Sequence, residues 1–178
     1  MPFVVSRRLI LAAAVSMLPL AALAHGPSRQ KVAEKIEIDA PAAKVWAIVG
    51  NFQDLGWHPA VAKTEGTGGN AAGAKRTLTL KSGGTIDESI VKYDAEGMSI
   101  KYQIDKVDPK VLPVNDYSST ISVKEEGGKT TVEWKGAFYR GFMNNDPPPE
   151  LSDEAALKAV TDVYKGGLAA LKAKAEGK

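Results

Sequence analysis

The chain of 178 residues contains no cysteine, which excludes a disulfide, a thiolate metal site and a thiol nucleophile. Histidine is scarce as well, because only His25 and His58 are present. No spacing in the sequence identifies a nucleophile with its base, a cluster of metal ligands or a glycine-rich phosphate loop. We therefore predict no catalytic residue, no metal site and no cofactor, and we expect that the protein is not an enzyme.

An excess of one charge is also lacking, because 23 Lys and Arg residues face 21 Asp and Glu residues. Two of the basic residues, Arg7 and Arg8, lie in an N-terminal segment that contains no acid. Without that segment the chain has 23 − 2 = 21 basic and 21 acidic residues, a net charge of zero. This balance gives no sign of nucleic acid as a partner or of binding to an anionic membrane surface.

A long apolar run occurs only near the N-terminus, from residue 9 to residue 23. It follows Arg7 and Arg8, is shorter than the ~20 residues of a spanning helix, and ends in the small-x-small sequence Ala22-Leu23-Ala24. These features are typical of a secretory signal peptide. We predict that residues 1–24 are removed, that no membrane anchor remains, and that the mature protein begins at His25 in the periplasm.

The remaining residues predict one domain over 32–175, preceded by a mobile segment over 25–31. Its strands are expected where apolar and polar residues alternate: 32–39, 61–66, 74–81, 85–93, 98–106, 117–124 and 130–139. Between the first two strands, the segment 44–59 carries Trp46, Val49, Phe52 and Trp57 at roughly helical spacing. We call it the plug segment and expect two short helices there, divided by glycine.

A long C-terminal helix is predicted after Ser152, a good N-cap residue. Its apolar face comprises Leu157, Val160, Tyr164, Leu168 and Leu171. The pair Gly166-Gly167 inside it is unfavourable for a helix, which predicts a bend or a close backbone contact at that point.

The length of the turn after residue 81 sets the register of one hairpin. A two-residue Gly83-Gly84 turn places Leu78 opposite Ser89, whereas a three-residue loop pairs Leu78 with Glu88. We prefer the three-residue loop because it keeps apolar residues together. It also places Arg76 diagonal to Glu88 on the apolar face, either as polar groups that hold a ligand or as a structural ion pair.

Four stretches in this order resemble the polyketide cyclase/START-like superfamily, also called SRPBCC or Bet v 1-like. They are VWAIVGNFQDLGWHP, the pair AKRTLTL and TIDESI, LPVNDYSS, and TVEWKGAF. The resemblance implies an α+β helix-grip fold, in which a curved antiparallel sheet wraps around the C-terminal helix and two short helices follow the first strand.

Within that superfamily the chain is most similar to the MxaD proteins of bacterial methanol oxidation. This implies a periplasmic, non-catalytic accessory protein that assists electron transfer between a quinoprotein methanol dehydrogenase and its cytochrome c. Two alternatives stay open, namely a carrier or sensor of a small hydrophobic ligand, and a cyclase or dehydratase.

A helix-grip fold has a cavity on the concave face of its sheet, and the inward positions of the predicted strands and helix supply its candidate residues. The apolar loop over 111–114 is expected to cover its mouth. The candidates are Trp57, His58, Arg76, Leu78, Glu88, Ile90, Ile100, Tyr102, Leu112, Tyr117, Trp134, Phe138 and Tyr164.

Overall fold

The computed structural model describes residues 26–178, so the predicted signal peptide and His25 lie outside the described residues. Seven strands, two α-helices and a short 3-10 helix make up the described chain. The strands are β1 (Gln30–Ile38), β2 (Val61–Thr67), β3 (Lys75–Leu80), β4 (Thr85–Asp94), β5 (Ser99–Val107), β6 (Val114–Glu126) and β7 (Lys129–Arg140). The helices are α1 (Ala42–Val49) and α2 (Asp153–Glu176), with the 3-10 turn over Pro149–Leu151.

The strands form one antiparallel sheet in the order β1-β7-β6-β5-β4-β3-β2. Helix α2 packs on β1 and β7, and α1 packs between α2 and β6. The predicted α+β helix-grip fold is confirmed. No helix within residues 26–178 is both long and apolar enough to cross a membrane.

Strand β1 begins at Gln30, two residues before the predicted start of the domain. Gln30 and Lys31 are in register with Phe138 and Ala137 of β7, so they belong to the sheet and not to the segment before it. Just ahead of the strand, Arg29 forms an ion pair with Asp116 of β6. The chain is therefore held to the sheet from Arg29 onward.

The plug segment contains only one helix, so the prediction of two is wrong. After α1, isolated turns take over, in which Asp54 N–H donates to Asn51 O and His58 N–H donates to Leu55 O. The side chain of Asn51 accepts a bond from Gln53 N–H, and that of Asp54 accepts one from Gly56 N–H. Such local side-chain acceptors compete with helical hydrogen bonds.

The hairpin of β3 and β4 has neither predicted register, because Leu78 lies opposite Ile86 and Arg76 lies directly opposite Glu88. Leu80 N–H donates to Gly84 O, so the three-residue loop runs over 81–83 and lies one residue earlier than expected. The shift is two residues in register, which leaves every side chain on its predicted face. Arg76 and Glu88 are both buried, as expected.

Helix α2 begins as predicted, with the Ser152 hydroxyl accepting a hydrogen bond from Ala155 N–H at 3.2 Å. Of the two outcomes predicted for the glycine pair, the structure shows a close backbone contact, at Gly167. A Cβ there would lie 2.6 Å from Cδ2 of His58 and 2.7 Å from Cζ3 of Trp134. Only glycine lets the helix approach the plug segment and the sheet at this distance. Gly166 faces open space, with Pro59 no nearer than 3.9 Å.

Candidate ligand cavity

A cavity of about 80 Å³ lies between the concave face of the sheet, the end of the plug segment and the loop before β6. Most of its wall is apolar, and the polar exceptions are one carboxylate, one imidazole, two tyrosine hydroxyls and an indole N–H. The lining residues are Leu55, His58, Ala60, Val61, Leu78, Leu80, Ile86, Glu88, Tyr102, Ile104, Val111, Leu112, Tyr117, Trp134 and Val163. A mostly apolar cavity with a few convergent polar groups is the usual form of a small-molecule site.

Seven predicted candidates line this cavity: His58, Leu78, Glu88, Tyr102, Leu112, Tyr117 and Trp134. Three others, Trp57, Arg76 and Ile100, line an adjoining void of about 10 Å³, which has room for about one water. The remaining three, Ile90, Phe138 and Tyr164, are buried in the core without facing either space. The candidate set therefore mixes cavity wall with ordinary core.

A wider depression of about 380 Å³ lies on the outer face of β1, β7 and β6. Its floor is made of short side chains such as Ala33, Ser118 and Ala137, and Lys31 and Lys135 stand beside it. It is open to solvent, and the buried serine at its edge, Ser119, directs its hydroxyl to Lys135 O, Tyr164 and Trp134. We therefore regard the smaller, more enclosed cavity as the candidate site.

The Arg76 guanidinium lies between two aromatic rings behind the cavity wall. Its Cζ atom is 4.1 Å from the centre of the Phe52 ring and 5.4 Å from that of Tyr102. Nε donates to Glu88 Oε2 at 2.6 Å, and an Nη atom donates to Phe52 O at 2.9 Å. These contacts give Arg76 the second of the two roles considered, that of a structural ion pair.

Glu88 links that ion pair to the cavity, since its side chain contacts Arg76 on one side and lines the cavity on the other. Burial raises the pKa of Glu88, although the charge and hydrogen bond of Arg76 act in the opposite direction. The partial neutralisation by Arg76 makes a carboxylate tolerable in this apolar surrounding.

A chain of hydroxyls joins helix α2 to the cavity wall. Tyr164 OH lies 2.7 Å from Tyr117 OH and 2.8 Å from Ser119 Oγ. Trp134 Nε1 donates to Ser119 Oγ and to Tyr102 OH, each at 3.0 Å. The Trp134 and Tyr164 rings also stack, with centroids 4.7 Å apart. Buried hydroxyl networks of this kind hold the rings that carry them in a single arrangement.

Burial keeps the tyrosines of this network protonated. It raises the pKa of Tyr102 to about 12, with a further contribution from the Glu88 charge, and it also raises the pKa values of Tyr117 and Tyr164. All three are therefore neutral hydrogen-bonding groups at physiological pH and not proton acceptors.

His58 is buried at the end of the plug segment, and both ring nitrogens are engaged. Nδ1 accepts a hydrogen bond from Ala60 N–H at 3.2 Å, and Nε2 lies 3.0 Å from Val163 O. Because a carbonyl only accepts, the hydrogen resides on Nε2. Burial lowers the pKa of His58, and the charge of Arg76 adds to this effect. The neutral ring thus links the plug segment to α2 through hydrogen bonds.

The loop before β6 covers the cavity as predicted, through Val111 and Leu112. Leu112 is 7% exposed, and Val111 packs on Gly84 of the β3–β4 hairpin, where a Cβ would collide with a Val111 methyl group. Val114, also expected in this loop, is instead the first residue of β6. The part of the loop over the cavity is therefore Val111 and Leu112.

Within residues 26–178, no three His, Cys, Asp or Glu side chains come together as metal ligands would. Sequence reasoning missed Ser119, which lies at the centre of the hydroxyl network. Its inward orientation could have been predicted, because Tyr117, Ser119 and Ile121 are at every second position of β6 and therefore share its inward face. A lone serine on an apolar strand face is a signal for a buried hydrogen-bonded group.

The sequence profile of the family described as "Polyketide cyclase / dehydrase and lipid transport" matches residues 29–176. The chain belongs to this family. Among curated proteins, none matches the chain. The broader resemblance inferred from the four motifs is confirmed, and the fold is the ligand-binding fold of this family.

Solved structures agree with this assignment. The protein XoxI from Bacillus cereus is 30% identical, with a TM-score of 0.68 over 82% of this chain and 94% of its own. An uncharacterised protein from Bacillus thuringiensis is 30% identical, with a TM-score of 0.69 over 84% of this chain and 100% of its own. Norcoclaurine synthase from Thalictrum flavum shares the fold at 18% identity and a TM-score of 0.63, over 84% and 95% of the two chains.

Proposed function

We propose that this protein binds and carries a small, mostly apolar molecule, and that it does so without catalysis. The observation that carries the proposal is the partly open cavity of about 80 Å³ between the sheet and the covering loop. This volume has room for roughly five to eight water molecules, at about 10–15 Å³ for each. Its wall offers apolar contact on most sides and hydrogen bonds at a few points.

The state of the polar groups supports binding over catalysis. His58 has no free nitrogen with which to take up or deliver a proton. Glu88 is held by Arg76 through a 2.6 Å bond, and the tyrosines have raised pKa values. A general base needs an accessible lone pair and a pKa near the working pH; His58 lacks the first and the tyrosines lack the second, while Glu88 is tied to Arg76 in a buried ion pair.

Two matched valine substitutions test the location of binding. Val111 covers the cavity, whereas Val91 is 42% exposed elsewhere on the sheet. Titration with toluene, followed by two-dimensional NMR of the ¹⁵N-labelled protein, should shift resonances of residues that line the cavity. Val111→Trp should abolish these shifts, because the indole occupies the cavity mouth, and Val91→Trp should leave them intact. Equal shifts in both variants, or shifts confined to the outer face, would contradict the proposal.

A second candidate role is assistance to periplasmic methanol oxidation, and the motifs LPVNDYSS and TVEWKGAF favour it. In this role the protein would meet a quinoprotein methanol dehydrogenase or its cytochrome c through a small, transient interface. A strain lacking the gene should lose cytochrome-linked but not dye-linked dehydrogenase activity, and purified protein should restore it. Unchanged activity in both assays would remove this role and leave the carrier.

A further inference from the structure

The direction of each hydrogen bond in the hydroxyl network follows from counting hydrogens. Ser119 donates its only hydroxyl hydrogen to Lys135 O at 2.9 Å, because a carbonyl can only accept. Its contact with Tyr164 must therefore be donated by Tyr164, and the contact of Tyr164 with Tyr117 by Tyr117. The hydrogens of Tyr117, Tyr164 and Ser119 are thus all committed within the protein.

Tyr102 differs from the other two tyrosines. Its oxygen accepts a hydrogen bond from Trp134 Nε1, while its own hydrogen has no acceptor among residues 26–178. The hydroxyls of Tyr117 and Ser119 lie close enough to lower the pKa of Tyr102, but neither makes a hydrogen bond of normal geometry with it: Ser119 Oγ already accepts two bonds, and Tyr117 donates to Tyr164. Tyr102 is 3% exposed and lines the cavity, so it presents a free donor there.

Glu88 presents the complementary acceptor. Oε2 is taken by Arg76 Nε, and Oε1 receives no hydrogen bond from residues 26–178. Among the other polar groups of the cavity wall, both nitrogens of His58, the indole N–H of Trp134 and the hydroxyl hydrogen of Tyr117 already have partners. The cavity thus offers one unused donor and one unused carboxylate acceptor.

We infer that the ligand is a small neutral alcohol or phenol whose hydroxyl accepts from Tyr102 and donates to Glu88. This inference rests on the proposed carrier function. One hydroxyl satisfies both protein groups, whereas an unsubstituted hydrocarbon satisfies neither and leaves them buried and unpaired. The remaining wall, formed by residues such as Leu78, Ile86 and Leu112, suits an apolar body.

Charge balance explains why the ligand is neutral. Arg76 already compensates Glu88, with the guanidinium and the carboxylate both buried. An added anion or cation would therefore enter an apolar cavity without a free counter-charge, which is costly. A neutral hydroxyl gains the hydrogen bonds without that cost.

Three ring compounds of nearly equal size test the inference: phenol, aniline and toluene. Phenol can accept from Tyr102 and donate to Glu88, aniline mainly donates, and toluene does neither. Dissociation constants from NMR titration should rank phenol as tightest and toluene as weakest, with phenol favoured over toluene by about tenfold or more. In Tyr102→Phe, phenol should weaken to the level of aniline while toluene is unchanged.

Tyr102→Phe should fold, because Trp134 Nε1 keeps its bond to Ser119. Tyr93→Phe is the matched control, since Tyr93 packs on Trp46 away from the cavity and should leave the ranking intact. Equal binding of phenol and toluene would overturn the hydroxyl inference and leave the carrier function standing. A phenol preference that survives Tyr102→Phe would also overturn it. Absence of binding by all three compounds would overturn both proposals.

Discussion

Arg76 is fixed by its neighbours on several sides. It donates to Glu88 and to the backbone of Phe52, and the rings of Phe52 and Tyr102 face its guanidinium. The pair therefore joins three elements, β3, β4 and the plug segment. A buried ion pair need not add net stability. The role of this one is to fix the position of the Glu88 carboxylate at the cavity wall.

Arg76→Met should destabilise the fold by about 3–5 kcal/mol, because it leaves the Glu88 carboxylate buried without its counter-ion. The double variant Arg76→Met/Glu88→Met should recover most of this loss, since both buried charges are removed together. Urea denaturation measures the free energy of unfolding in each case. If the double variant is no more stable than the single one, the uncompensated charge is not the cause.

A second residue-scale prediction concerns pH. Because burial lowers the pKa of His58, the folded protein keeps the ring neutral where the unfolded chain, with a pKa of about 6.5, takes up a proton. Below about pH 6.5 the unfolded state thus binds more protons, and stability is lost as the pH falls toward the folded pKa. Glu88, with a raised pKa, acts in the opposite direction at lower pH.

Comparison with His58→Asn separates the two effects. Between about pH 7 and about pH 5.5, the unfolding free energy of the wild type should fall relative to that of the variant. Chemical denaturation at several pH values gives this difference directly. A constant difference across the range would show that the pKa of His58 is the same in both states.

Individual residues show where sequence reasoning succeeds and where it stops. The inward orientation of four side chains follows from strand alternation, which depends only on whether a position is odd or even along its strand. They are Leu78, Glu88, Tyr102 and Trp134. The division of buried residues into cavity wall and packed core does not follow, because it depends on side-chain volumes from distant elements. Phe138 and Tyr102 are both aromatic residues at inward positions of alternating strands, yet only Tyr102 faces the cavity.

At the scale of elements, the structure shows why the β3–β4 hairpin and the plug segment were predicted less well. Hairpin register depends on one hydrogen bond, from Leu80 N–H to Gly84 O, that composition alone does not specify. The second plug helix is lost to side-chain acceptors at Asn51 and Asp54. By contrast, the N-terminal end and the buried face of α2 were predictable, because Ser152 and a repeated apolar spacing mark them.

The two glycines of α2 provide an element-scale prediction with a built-in control. Gly167→Ala places a methyl group against the rings of His58 and Trp134, and should cost about 1–3 kcal/mol through overpacking. Gly166→Ala meets only Pro59, at an ordinary van der Waals distance of 3.9 Å, and should stabilise the protein by up to about 1 kcal/mol through helix propensity. Thermal unfolding of both variants tests the pair. Equal effects at the two positions would contradict the close contact at Gly167.

At the scale of the whole molecule, the cavity has two kinds of wall, the strands of the sheet and the loop before β6. Strands β3 to β7 carry Leu78, Glu88, Tyr102 and Trp134, whereas Val111 and Leu112 lie on a loop that rests on Gly84. Loops are generally the more mobile parts of a fold. The polar groups therefore lie on strands of the sheet, and the apolar cover lies on a loop.

The last prediction concerns processing of the full chain. Cleavage after Ala24 would leave residues 25–29, five residues, before β1 begins at Gln30, and the ion pair of Arg29 with Asp116 is the first described contact of the sheet with this segment. The cut would thus fall outside every described strand and helix. Intact mass spectrometry of the protein exported by a Gram-negative host should give a chain that starts at His25.

Ala24→Leu replaces the small residue that signal peptidase requires and should leave the precursor in the membrane fraction at its full mass. Ala33→Leu, a matched change on the outer face of β1, should not alter processing. A periplasmic species that retains residues 1–24, or equal processing of the Ala24 variant, would show that these residues are not a cleaved signal. The zero net charge of the mature chain depends on the same cut, because it removes Arg7 and Arg8. An isoelectric point that falls from about 8.7 toward neutrality on export is therefore a second readout of the same event.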